Sequence, residues 1–180
     1  MNAGTGKQVT SYAPSLTWRR VLLDGGAING ALGVLIFASL RINAEMWVHD
    51  YPPDIKEAFG PKSRKAQLQT AVLAPLFFGI LLGGIAWSLR RLRAEHGGVL
   101  SFKDAFWHTY ALFAFFWLFD LTVLDWLIFG LIQPSWVILP GTEGMAGYTD
   151  LAFHLKTSLP ALPLMAVPAL IIAFFARSRS

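Results

Sequence analysis

The chain has 180 residues, 54% of them apolar and only 14% charged, with no cysteine and a net charge of +4. A soluble domain carries roughly 25% charged residues, so what is missing is the charge that keeps a surface in water, and lipid is the expected solvent for most of this chain. Without cysteine there is no disulfide framework, no thiolate nucleophile and no Cys-ligated zinc or iron–sulfur site. The basic residues flank apolar runs, where they read as membrane anchors rather than as a nucleic-acid surface.

Residues 1 to about 17 are polar and rich in Gly, Ser and Thr, which predicts a short cytoplasmic tail. Gly4-Thr5-Gly6-Lys7 lacks the first glycine and the strand-to-helix setting of a phosphate loop, so it is read as coincidence. The first apolar run, approximately 21–41, follows Arg19 and Arg20. It is longer than a signal-peptide core and no small-x-small cleavage site follows it, so it reads as a permanent span. Further runs at approximately 66–89, 104–132 and 150–176 are each long enough to cross about 30 Å of hydrocarbon at 1.5 Å per residue. Ser101-Phe102-Lys103-Asp104 resembles a helix cap with its reciprocal acid, and Thr149 is the expected cap of the fourth span. Pro160, Pro163 and Pro168 predict that this last helix is kinked or locally unwound. The expectation is one all-α domain over residues 1–180, an integral membrane four-helix bundle with ordered extracytoplasmic loops.

With four spans, Lys7, Arg19, Arg20, Arg90, Arg91, Arg93, Lys103, Arg177 and Arg179 share one side, nine in all, against six on the other. The positive-inside rule then places both termini in the cytoplasm. Gly26 and Gly30, and Gly79 and Gly83, stand at four-residue spacing and are expected to let helices approach closely within the bundle.

The informative residues are those that cost energy in lipid. Asp120 and Asp125 lie deep in the third span, where an acid costs about 2.5–3.5 kcal/mol; in an α-helix they stand about 140° apart, which predicts two separate neighbours rather than a dyad. Asp150, His154 and Ser158 share one stripe at four-residue spacing, entering from the outer side. Lys156 points elsewhere, to headgroups or to a carboxylate of the bundle. Because the third and fourth helices run in opposite directions, Asp125 and His154 fall at similar depth, the strongest pairing in the chain. The first loop, with His49, Asp50 and Tyr51-Pro52-Pro53-Asp54, and the third, with Leu139-Pro140-Gly141-Thr142-Glu143-Gly144, are expected to form an ordered outer cap over it.

The stretch from Asp120 through Leu139–Gly144 to His154, with Tyr51–Asp54, resembles uncharacterised bacterial multi-pass membrane proteins. That resemblance implies a bacterial inner-membrane location and imports no activity. Haem would need two histidines at one depth on facing helices: His108 sits near the cytoplasmic end of the third span and His154 near the outer end of the fourth, and His49 meets His154 only if the first loop dips inward. No spacing typical of a metal site occurs, so neither cofactor nor metal is expected. On the inner side, Asp24 is read as a local ion pair with Arg20, Asn29 as a bond to a neighbouring helix, and the Arg90–Arg93 cluster as headgroup contacts.

The leading expectation is a non-enzymatic protein that binds a small molecule, lipid or ion at a polar site in the outer half of the bundle. The candidate ligand-binding residues are Asp120, Asp125, His154, Lys156, Asp150 and His49. Two alternatives stand beside it: an accessory or scaffolding subunit in which these groups only satisfy one another, and a membrane-embedded hydrolase or transferase with Asp125 and His154 as acid and base. Membrane lipids are expected partners, and a homo-oligomer or a larger membrane complex is compatible with the chain.

Overall fold

The computed structural model describes residues 18–178; the polar tail, the Gly4–Lys7 stretch and Arg179 lie outside the described residues. Helix α1 spans Trp18–Asn43 and passes into a 3-10 segment, Ala44–Asp50. A short α2, Pro53–Phe59, leads to the long α3, Arg64–Glu95. The third span is α4, Phe102–Phe119, continued by a π-helix over Asp120–Ile132. After a loop containing the 3-10 turn Ala146–Thr149, the fourth span is divided into α5, Leu151–Ser158, α6, Ala161–Leu164, and α7, Ala166–Ala176. Among the described residues four helical runs are long and apolar enough to cross a membrane, which makes this an all-α, multi-pass membrane four-helix bundle.

Local chemistry accounts for where these helices begin and break. Ser63 Oγ caps α3 by accepting from Ala66 N at 3.2 Å, and Ser101 Oγ caps α4 by accepting from Asp104 N at 3.0 Å. The Ser101 hydroxyl also donates to Asp104 Oδ2 at 2.6 Å. The cap of α5 is Asp150, whose carboxylate accepts from Phe153 N at 3.0 Å; Thr149, expected in that role, lies in the preceding 3-10 turn. In the fourth span Pro160, Pro163 and Pro168 lack the donors that would reach the carbonyls four residues earlier, and the helix is broken around them as expected, at residues 159–160 and at Met165. The third span ties this interrupted stretch to itself through two side-chain donors. Trp117 Nε1 donates to Ser158 O at 3.1 Å, and Tyr110 Oη to Leu162 O at 3.2 Å.

The spans pack through α1 against α3 and α4, and through α4 against α7. Ile28, Leu32, Ile85, Leu112, Ala169 and Ala173 share one buried cluster. The glycine pairs behave differently from the expectation. Gly26, Gly30, Gly79 and Gly83 face outward, with nothing within 4 Å of an added Cβ. Close approach uses Gly25 and Gly84 instead: a Cβ there would stand 2.6 Å from Phe115 Cδ1 and from Ile28 Cγ1, respectively. Spacing identifies a small-residue face but not which way the helix turns it.

At one end, here the loop side, residues 44–63 and 133–150 form an ordered cap with its own core of Val48, Tyr51, Ile55, Leu139 and Tyr148. Tyr51 Oη donates to Val137 O at 2.7 Å, Leu139 N donates to Tyr148 Oη at 2.9 Å, and Gly147 N donates to Asp54 Oδ2 at 3.0 Å. Burial pushes the Tyr51 phenol well above its ordinary value, so it remains a donor. At the opposite, terminal side, Leu100 and Ser178 exchange hydrogen bonds of 2.9 Å.

Candidate functional site

The π-helix decides the arrangement of the deep acids. Its hydrogen bonds join residues five apart rather than four, so residues at i and i+5 stack on one face. Asp120 and Asp125 therefore line the same cavity, and the expectation of two separate faces, made at α-helical pitch, is corrected. Such segments are rare in proteins and recur at functional sites.

That cavity has a volume of about 440 Å³ and lies under the loop-side cap, among α1, the third span and α5. Asp120, Asp125, His154, Thr157 and Ser158 line it from the spans, and His49, Asp50 and Lys56 from the first loop. Phe77, Phe116, Leu124 and Phe129 supply apolar wall. His154 Nδ1 stands 3.3 Å from Asp125 Oδ1, with side-chain exposures of 7% and 21%. The expected Asp125–His154 pairing is thus present, and it borders open space instead of being sealed. Gly130 makes the approach possible, since a Cβ there would collide with the Leu151 side chain of the facing helix. Trp126 Nε1 ties the same two elements by donating to Leu151 O at 3.1 Å.

The first loop reaches the site because it folds back over the bundle. Trp47 Nε1 donates to Ser39 Oγ at 2.9 Å, and Lys62 Nζ donates to Met46 O at 2.6 Å. Burial lowers the Lys62 ammonium from its ordinary value, with Asp50 and Glu45 opposing that shift. His49 and His154 consequently line one cavity, a meeting that the sequence allowed only if this loop dipped inward. Lys56, which sequence reasoning did not single out, also lines the cavity and donates to His49 O at 3.4 Å. Its only sequence signal is its place in α2, one turn after the rigid Pro52-Pro53.

Two expected site residues fall elsewhere. Lys156 is exposed and does not line the cavity, because it lies two positions beyond His154 on α5, about 200° round the helix. Asp150 is also exposed, and its carboxylate is engaged as the cap of α5. Among the described residues no group of three or more His, Asp or Glu side chains is arranged to hold a metal ion.

A second cavity, of about 280 Å³, shares Trp47, His49, Asp50 and Phe77 with the first and extends along α3 past Leu73, Ala74 and Phe78. Its wall is almost wholly apolar apart from Lys62 and the shared His49 and Asp50, so the larger chamber, which carries most of the charged groups, stands beside a hydrophobic annex.

The terminal side holds a polar network larger than the local ion pair expected of Asp24. Asp24 Oδ2 accepts from Arg20 Nη1 at 3.1 Å and from Ser88 Oγ at 2.7 Å, while Oδ1 accepts from Arg91 Nη1 at 2.9 Å. Glu95 binds the other edge of Arg20, with Nε donating to Oε2 at 2.9 Å. Ser88 Oγ also lies 2.7 Å from His108 Nε2. Since the single Ser88 proton goes to Asp24, that contact places the imidazole proton on Nε2 and leaves the buried Nδ1 without a partner. The serine stands between acid and imidazole and is fully buried, so the network ties α1, α3 and α4 together rather than presenting a nucleophile. Asn29 Nδ2 donates to Phe115 O at 3.3 Å, the interhelical bond expected of it.

The fold and site therefore define a capped four-span membrane bundle with an acidic, histidine-containing cavity beneath the cap. No protein-family model, curated protein or solved structure matches the chain, and its functional reading rests on this geometry.

Proposed function

We propose that the protein binds a small molecule, lipid headgroup or ion in the cavity beneath the loop-side cap. The observation that carries this reading is the convergence of Asp50, Asp120 and Asp125, with His49 and His154, on one cavity of about 440 Å³. Acids are expensive in a membrane and mark ligand or ion paths when they face a cavity. Three carboxylates against the single lysine of the lining suit a ligand carrying positive charge or several hydrogen-bond donors. The annex beside Trp47 and Phe77 suits an apolar tail on the same ligand.

We further propose a bacterial inner-membrane location with both termini cytoplasmic, so that the cap and cavity face outward. This is supported by nine against six basic residues on the two sides and by the resemblance of the loop and third-span residues. The test of function is native mass spectrometry of the purified protein for retained small molecules and lipids. Wild type should retain a ligand that Asp125→Asn and Asp120→Asn release, with each variant's stability within about 1 kcal/mol of wild type, because asparagine keeps the shape and one acceptor. Equal retention by all three proteins overturns the reading. Equal retention with a large loss of stability in Asp125→Asn assigns the residues to structure instead, as in an accessory subunit.

A second reading is favoured by one contact. His154 Nδ1 on Asp125 beside open space is the arrangement of a general base oriented by a carboxylate, which suits a hydrolase or transferase acting on the bound ligand.

A further inference from the structure

On the terminal side, α3 and α7 both pack near α4 but meet each other only loosely, leaving a trough of about 410 Å³ between them. Its walls are apolar side chains, among them Leu82, Ala86, Ile171 and Phe175, and its end is flanked by Arg90 and Arg93. Among the described residues no carboxylate lines it and neither arginine has an ion-pair partner. Arg93 Nη2 donates to Ala176 O at 2.6 Å, whereas its Nε is buried with no hydrogen-bond partner among the described residues. An apolar slot leading to two guanidinium groups that face no carboxylate among the described residues, at the edge of a span, has the charge and shape of a phospholipid: chain along the slot, phosphate at the cations.

We propose that this trough is a binding site for one anionic phospholipid, with its phosphate between Arg90 and Arg93 and an acyl chain filling the seam between α3 and α7. A guanidinium matches phosphate through paired donors, and basic pockets between spans take anionic headgroups. A zwitterionic lipid would bring its own cation to a place that already holds two. The bound chain would complete the packing that α3 and α7 do not make themselves, so the lipid would stabilise the bundle by mass action. The site is independent of the cavity beneath the cap.

The test uses the full chain in detergent micelles, titrated with phosphatidylglycerol or with phosphatidylcholine. Retained lipid is counted by native mass spectrometry, and the thermal unfolding midpoint is followed in parallel. Wild type should retain one phosphatidylglycerol in preference to phosphatidylcholine, with a midpoint that rises only for the former. Arg90→Gln should weaken retention about fivefold, and Arg90→Gln with Arg93→Gln about 30-fold, from the usual contribution of a basic residue at an anionic surface. Because Arg93 also holds the end of α7, a second variant guards against simple unfolding. Ala86→Phe keeps both arginines and every described side-chain hydrogen bond but fills the slot, and should abolish the preference. Equal retention of the two lipids by wild type, or undiminished phosphatidylglycerol retention in both Arg90→Gln and Ala86→Phe, overturns the proposal.

Discussion

Replacing Asp24 with asparagine should unlock the terminal side of the bundle. The Asp24 side chain is 2% exposed and its carboxylate receives Arg20, Ser88 and Arg91 together. Arg20 is itself only 9% exposed, and its other partner, Glu95, has a side chain 54% exposed, so water screens much of what that pair can offer. Removing one member of a buried ion pair costs about 3–5 kcal/mol, most of it from the charge left behind. The Arg91 side chain is 49% exposed and can turn to solvent, which limits its pairing to about 0–1 kcal/mol. Asparagine keeps an acceptor for Ser88, so the expected loss is about 3 kcal/mol, the low end of the buried-pair range. The assay is equilibrium unfolding in mixed micelles, with double-mutant cycles that pair Asp24→Asn with Arg20→Gln and with Arg91→Gln. Coupling should be about 2 kcal/mol or more with Arg20 and below about 1 kcal/mol with Arg91. A loss under about 1 kcal/mol, or stronger coupling to Arg91 than to Arg20, refutes the assignment of Asp24 as the buried hub.

The glycines supply a paired test. Gly84→Ala should destabilise by about 1–3 kcal/mol, because its Cβ meets Ile28, whereas Gly83→Ala, in open space, should stabilise by about 0.5–1 kcal/mol; the reverse order would show the helix faces to be misassigned. Tyr51→Phe removes the donor to Val137 O and should cost the cap about 1–3 kcal/mol, measured as faster proteolysis of residues 133–150 with unchanged helicity. The same phenol sets an alkaline limit. Its folded pKa is raised by burial above the ordinary 10.0, so cap stability should hold below that pH and fall above it as the unfolded phenol ionises first. Tyr51→Phe should lose that alkaline fall, and an unaltered profile would count against the buried phenol as its source. Ser158→Leu, which crowds the cavity without touching the aspartates, should reduce ligand retention by native mass spectrometry while leaving the His154–Asp125 pair in place.

Much of the framework was legible because it depends on local properties. Hydropathy over about 20 residues is enough to require a span, and three prolines within nine residues interrupt the fourth helix, whereas the lone Pro75 leaves α3 unbroken. The four runs and the broken fourth helix were therefore readable residue by residue, as was the cap at Ser101. Asp125 and His154 were paired from depth alone, since antiparallel spans of known length leave little freedom along the membrane normal. Rotation about a helix axis was not readable in the same way. Gly26, Gly30, Gly79 and Gly83 have the spacing of a packing face yet point outward, and Lys156 turns away from the site that His154 enters.

The chain's order and composition determined an all-α, four-span protein, because lipid permits few ways to satisfy a backbone. Beyond the Asp125–His154 and Arg20–Asp24 pairs, only the tertiary structure decided how its polar residues are grouped. The π-helical pitch after Phe119 brings Asp120 and Asp125 onto one cavity, the folded first loop adds His49, Asp50 and Lys56, and the convergence of three helices turns the Arg20–Asp24 pair into a buried network with Ser88, Arg91 and His108. Helix pitch, axial rotation and loop docking are set by contacts between residues distant in sequence, and no local pattern encodes them.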